Sequence, residues 1–301
     1  MDRRDFLAGA LAGSALTGRA AAQTAATEVF VERASAGSRT GHVLAVITPH
    51  LDDGPIFAGG TIAKLLKEGA KGYFIRTSND EKDSFDLSLG ETVLANERDT
   101  ADMIRVLGLE KVFDLSYRNH LMDDVGPGEL RARLIFLFRL LKVDIVFSYD
   151  PWGHYEENPD HYVTARAVEA ACWMSGGKLD LPEHFAAGLK PHSVREKYYF
   201  ARGPQLVNRA VDIAATMETK LAAIRACRTM ITHMVKDLET TVAERKLRLP
   251  GLSNDEFIKF AFEQRDRNTG QRHGLEYAEE FHYIGPDQNL ERYIQQHAVP
   301  L

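Results

Sequence analysis

The stretch that decides the fold is "VITPHLDDGPIFAGGTIAKLL", residues 46–66. It opens as a short β-branched apolar run, the pattern of a buried strand, and closes as an amphipathic helix. Between the two lie His50, Leu51, Asp52 and Asp53. Adjacent aspartates repel each other, and buried charge is costly unless paired or bound to a cation. A strand end that gathers an imidazole and two carboxylates therefore points to a cation site.

Outward from this stretch the same alternation repeats. Residues 42–48, 72–78, 111–116 and 143–149 read as short apolar strands, with helical patterns at 59–68, about 92–107 and 129–141 between them. Strands and helices in this alternation form right-handed βαβ units on a parallel sheet. The expected fold is a Rossmann-like α/β sheet of order 3-2-1-4 with helices on both faces. A further helix follows residue 160, a late strand falls at 193–201, and the chain from 212 onward reads as a helical completion. The resulting division is a lead-in over 23–40 and one domain over 41–301, its core at 41–201 and its helical part at 202–301.

Residues 1–22 stand apart. Arg3-Arg4 precede Phe6-Leu7, a small-residue apolar run follows, and Ala20-Ala21-Ala22 provides a cleavage site. The Arg-Arg-x-Phe-Leu core resembles a twin-arginine export signal, which predicts handling by that machinery and a periplasmic or secreted protein. Cleavage would remove three arginines and two aspartates, taking the net charge from −6 to −7. An acidic chain without a basic stripe argues against nucleic-acid binding. No run reaches the roughly 20 apolar residues of a membrane span. Cys172 and Cys227 are the two cysteines, read as buried thiols or as one bridge.

In an open parallel sheet ligands bind beyond the carboxyl ends of the strands, where strand order reverses. His50, Asp52 and Asp53 follow the first strand, and "YDPWGHYEENPDH" (149–161) follows the fourth. The order 3-2-1-4 makes these strands neighbours. His50, Asp53 and His161 then form a three-ligand N/O set suited to a catalytic zinc with an open position, one per chain, other divalent metals fitting as well. Asp52 is left as a general base. Gly59-Gly60 is no dinucleotide fingerprint, since G-x-G-x-x-G is absent, and it reads as close helix packing.

"PHLDD", then "GGTIAKLLKEG", then "PDH" opening a helix, resembles the LmbE/PIG-L family of zinc-dependent N-deacetylases over about residues 42–201. The resemblance implies zinc ligands His50, Asp53 and His161, with Asp52 as base. Asn158 stands where the family carries a histidine, and reads either as a helix cap or as a contact to oxyanion or substrate. Tyr155 becomes a donor to the oxyanion and His154 an alternative acid, while Asp160 orients or caps. Arg98, Arg118, Asn119 and Asp123 are possible substrate contacts. The implied reaction is removal of an N-acyl group, an acetyl above all, from an amino-sugar substrate through a zinc-bound water. The alternatives are a zinc amidase acting on a non-sugar amide and a carbohydrate-binding relative without catalysis.

Overall fold

The computed structural model describes residues 28–35 and 37–300. The export signal expected at 1–22 lies outside them. Strands β1 (Phe30–Glu32), β2 (Val43–Thr48), β3 (Lys71–Ser78), β4 (Lys111–Tyr117), β5 (Ile145–Tyr149), β6 (Glu196–Phe200), β7 (Arg209–Asp212) and β8 (Ala278–Ile284) form one sheet. Its order is β1-β7-β8-β6-β5-β2-β3-β4. All pairings are parallel except those of β8, which runs antiparallel to β6 and β7. The segment β4-β3-β2-β5 is the 3-2-1-4 order read from the sequence.

Helices α1 (Asp53–Lys67) and α2 (Leu89–Leu107) cross on one face of the sheet, and α3 (Pro127–Leu141) and α4 (Pro159–Met174) on the other. The pleat sorts β2 accordingly, with Leu44 and Val46 in the first core and Ala45 and Ile47 in the second. Burial on both sides explains why this strand is apolar throughout. The crossovers diverge between β2 and β5, so a crevice opens beyond the carboxyl ends of those two strands.

α1 begins at Asp53, not at 59, and Ile56 N donates to Asp52 O at 2.9 Å. An acidic residue and a proline in the first turn suit a helix start. The lead-in also contributes structure, since β1 pairs with β7. It is held because Glu32, 8% exposed, accepts from Lys64 at 2.9 Å and Arg209 at 2.7 Å. The carboxyl-terminal part is not wholly helical. After the short α5 (Glu183–Ala186) come α6 (Met217–Ala226), α7 (Arg228–Glu244), α8 (Asn254–Ile258), α9 (Gln264–Arg272) and the terminal α10 (Gln288–His297), with β7 and β8 completing the sheet. A π-helical turn, Lys259–Glu263, joins α8 to α9.

Buried polar groups fix this completion to α1. Glu279 of β8 accepts from Gly60 N at 2.9 Å and Thr61 N at 2.8 Å, and pairs with the fully buried Lys220 at 2.6 Å. Lys220 also meets Asp266 at 2.5 Å. Gly60 lets α1 approach the turn that follows β7: a Cβ there would lie 2.7 Å from Ile213 Cβ. Gly60→Ala gains up to about 1 kcal/mol of helix propensity and loses roughly 1–3 to overpacking. A net loss of up to about 2 kcal/mol is therefore expected by denaturant unfolding, and a stabilised variant would contradict this packing. Cys172 and Cys227 are free and buried in cores on opposite faces of the sheet, so no bridge joins them.

Candidate metal centre and active site

Two chain turns build the site. Beyond β2, Thr48 Oγ1 donates to His50 O at 2.8 Å, His50 N donates to Asp53 Oδ2 at 3.1 Å, and Leu51 is sunk in the core. Anchoring Leu51 inward leaves His50 and the first turn of α1 facing the crevice. Beyond β5, the chain loops to Asn158, whose Oδ1 accepts from Asp160 N at 2.9 Å as the cap of α4. Pro159 follows at the first helical position, and His161 emerges from the first turn.

The two turns bring His50, Asp53 and His161 together. His50 Nδ1 lies 3.1 Å from His161 Nε2 and 3.3 Å from Asp53 Oδ2, and His161 Nε2 lies 3.7 Å from Asp53 Oδ1. Ligands about 2.0–2.1 Å from a tetrahedral zinc stand roughly 3.3 Å apart, so the donor set fits such an ion. Each outer nitrogen faces a carboxylate: His50 Nε2 is 3.2 Å from Asp160 Oδ2, and His161 Nδ1 is 3.1 Å from Glu156 Oε1. The hydrogen bond to Asp160 fixes the His50 tautomer and aims Nδ1 inward. Glu156 lies beside His161 Nδ1 without making a hydrogen bond to it.

Asp160 is fully buried and also accepts from His120 N at 2.7 Å and Met122 N at 3.3 Å. Tyr149, the last residue of β5, donates to Asp53 Oδ1 at 2.6 Å, and its ring stacks on His161 with centroids 4.1 Å apart. Burial works against charge on Asp53, yet His161, His50 and the Tyr149 hydroxyl hold its carboxyl at about 2. Burial likewise opposes a charged His50, but Asp83, Asp160 and Asp53 raise its proton affinity well above the ordinary range. An imidazole so surrounded by anions sits where a cation is favoured.

Asp52 behaves differently. It is 4% exposed, stands at the cap position of α1 without a side-chain cap bond, and its Oδ1 has no hydrogen-bond partner among the described residues. Burial first, then neighbouring Asp53, push its carboxyl well above the usual carboxylate range. It borders a cavity of about 240 Å³ together with the three possible ligands, Asp83, His120 and Asn158. A second group, His50, Asp80 and Asp83, also clusters, but Asp80 is already paired with Arg76 at 3.1 Å.

The remaining expectations divide. Asn158 caps α4 as read, and it also borders the cavity, with Nδ2 3.4 Å from His161 Nε2. Tyr155 does not face the site: it is 86% exposed on a left-handed loop residue (φ 59°), so it is no oxyanion donor. Tyr155→Phe is accordingly expected to keep kcat/KM within about twofold of wild type in steady-state assays. His154 is exposed on the same loop, outside the cavity wall. Arg98 falls on the solvent face of α2, Arg118 is exposed and paired with Glu81 at 3.0 Å, and Asp123 is exposed. None of the three borders the cavity. Asn119 is buried behind it, donating to Asp83 at 3.2 Å and Asp160 at 3.5 Å, so it positions carboxylates rather than touching substrate.

Several wall residues carried no signal at their positions in the sequence. Tyr149 looked like strand core. Asp83 arrives on the loop after β3, and His120 on the loop after β4 in a left-handed conformation (φ 61°). Phe262 and Arg265 come from the π-helical turn and α9, Met230 and Met234 from α7, and Arg202 from the loop after β6.

A doubly wound sheet with two histidines and a carboxylate at its switch point defines a candidate metallohydrolase class. The PIG-L family model, GlcNAc-PI de-N-acetylase, matches residues 45–172 of the chain. It is 31% identical over 186 residues to a diacetylchitobiose deacetylase of Thermococcus kodakarensis, covering 60% of this chain and 66% of that relative. It is 23% identical over 274 residues to a 1D-myo-inositol 2-acetamido-2-deoxy-alpha-D-glucopyranoside deacetylase of Mycolicibacterium smegmatis, covering 75% of this chain and 92% of that protein. The solved N,N'-diacetylchitobiose deacetylase of Pyrococcus horikoshii superposes with a TM-score of 0.67 at 25% identity, covering 86% of this chain and 87% of that one. GalB, a 4-carboxy-2-hydroxymuconate hydratase of Pseudomonas putida, shares the fold at 17% identity with a TM-score of 0.60, covering 82% of this chain and 97% of that one. The fold alone therefore does not name the reaction.

Proposed function

We propose that the protein is a metal-dependent hydrolase that removes an N-acyl group, an acetyl above all, from an amino-sugar substrate. The observation that carries this reading is a fitting ligand triangle with an unpartnered buried carboxylate, Asp52, in the same small cavity. The deacetylase relatives support the amino-sugar class. A zinc or similar ion held by His50, Asp53 and His161 would polarise the acyl oxygen and acidify water.

The chain's own groups do the rest. Asp52 takes a proton as water adds to the amide carbon, then returns it to the nitrogen as the C–N bond breaks, giving carboxylate and free amine. The Asn158 amide can donate to the developing oxyanion, and it remains a neutral donor that shuttles no proton. Tyr149 and Asp160 hold Asp53 and His50 in register throughout. Asp83 and His120 offer polar partners to sugar hydroxyls. Ile56, Phe57, Met230, Met234 and Phe262 form the apolar surround that limits water. The export expected from residues 1–22 would place this activity on periplasmic or extracellular N-acetylated glycans.

The test is acetate and amine release from N-acetylglucosamine and N,N'-diacetylchitobiose by the zinc-loaded chain. Stoichiometric release of both products is the expected result. Turnover of non-sugar amides with none of the sugars would assign the site to a different amidase. Sugar binding without turnover would leave a binding protein.

A further inference from the structure

Two exposed segments of the chain have opposite charge and a shared apolar character. Residues 85–97, the loop into α2 and its first turns, carry Asp86, Glu91 and Glu97 and no cation. Residues 245–252, between α7 and α8, carry Arg245, Lys246 and Arg248 and no acid. All six of these residues are exposed. Apolar side chains alternate with them: Phe85, Leu87 and Leu89 in the first segment, Leu247 and Leu249 in the second, each 40–65% exposed. Single exposed leucines need no explanation, but apolar groups gathered within a charged rim have the make-up of a contact surface.

The fold makes the two segments neighbours. The first turn of α7 sits on the middle of α2, where Thr229 N donates to Asp99 at 2.7 Å and Arg228 meets Asp102 at 2.8 Å. Two turns further along α7, Lys236 comes under the charge of Asp86, just ahead of α2. α7 therefore runs back along α2, and its remaining turns carry residues 245–252 past the start of that helix. Asn254 Nδ2 donates to Thr232 Oγ1 at 3.1 Å, so the chain is beside the base of α7 again as α8 begins. Residues 233–253 form an outward finger with a basic tip.

The acids nearest the tip in sequence already have partners. Asp237 pairs with His233 at 3.0 Å, Glu239 with Lys236 at 2.8 Å and Asp255 with Arg225 at 2.8 Å, while Glu256 accepts from Ser253 N at 2.9 Å. Glu244 alone is left beside three cations. A second copy of the chain supplies what is missing. Turned about a two-fold axis, each basic tip meets the acidic segment of the other copy, and the apolar side chains are buried between them. An anionic lipid surface would suit the tip but oppose Asp86, Glu91 and Glu97, and it repels a chain of net charge −6.

We propose that this face docks on the same face of a second copy, the basic finger of each resting on the acidic loop of the other. The dimer does not depend on the reading of the active site.

The test is sedimentation velocity of the full chain at increasing micromolar concentration. Wild type is compared with two charge-reversed variants, Asp86→Lys with Glu97→Lys and Arg245→Glu with Arg248→Glu. Wild type is expected to sediment as a dimer. Each variant repels its own copy, and its dimer Kd is expected to rise by about tenfold or more. An equal mixture of the two variants regains the dimer, because every finger then meets a loop of opposite charge. That recovery also shows that both variants are folded. A monomeric wild type, variants that dimerise as tightly as wild type, or a mixture that stays monomeric would overturn the interface. Capture of wild type by phosphatidylglycerol vesicles, lost in Arg245→Glu with Arg248→Glu, would overturn it too and give the face to a membrane.

Discussion

Asp52→Asn is expected to lower kcat by about 10²–10⁴-fold, the range associated with losing a positioned proton acceptor, while the metal content stays that of wild type. The amide preserves size and burial but has no proton affinity at working pH. The distinction matters because Asp52 and Asp53 are neighbours with opposite electrostatics. Asp53 is engaged by His50, His161 and Tyr149, and its carboxyl is held at about 2. Asp52 has an oxygen with no partner among the described residues and a raised proton affinity. Loss of metal in Asp52→Asn would reassign it as a ligand, and unchanged kcat would remove it from the chemistry.

Asp160→Asn is expected to weaken metal affinity by about 10–100-fold, the usual cost of removing a carboxylate behind a ligating imidazole. Asp160 faces His50 Nε2, His120 N and Met122 N at once, and an amide can present its single oxygen to only part of that set. Competition with a chelator followed by dialysis measures the change. In the metal-free protein the same substitution alters the acid limb of stability. Burial opposes ionisation of Asp160, but His50 and the His120 and Met122 amides hold its carboxyl below the ordinary 3.8. That stabilisation is present above the ordinary value and fades as pH falls through the lowered one. Unchanged affinity would mean that His50 is aimed by its other neighbours alone.

The parts legible in the sequence are those that depend on local pattern. Apolar β-branched runs separated by helices specify a parallel sheet, and one reversal of strand order places two loops side by side, which is why His50, Asp53 and His161 could be grouped from positions about a hundred residues apart. The Gly59-Gly60 pair also read correctly as a packing feature, the partners being Lys220 of α6 and Ile213 just after β7.

What escaped was set by distant or irregular contacts. β8 is antiparallel and pairs with strands far from it in sequence, so its alternation was masked among helices. β1 is three residues long and is secured by the charges around Glu32. Tyr149 has the composition of a core strand residue, and its role depends on a hydroxyl meeting Asp53 across the crevice. Tyr155 lost its place because the loop turns through a left-handed residue and points the ring to solvent. Arg98 illustrates the helix period: the buried positions beside it, Asn96 and Asp99, take the inner face of α2.

The measurement that tests the central claim most directly is metal content by elemental mass spectrometry after zinc loading and desalting, on wild type, Asp53→Ala and His161→Ala. About one zinc per chain in wild type, lost from both folded variants, is the predicted result. A wild-type chain that retains no divalent metal, or variants that retain as much as wild type, would contradict the assignment of this crevice as a metal centre.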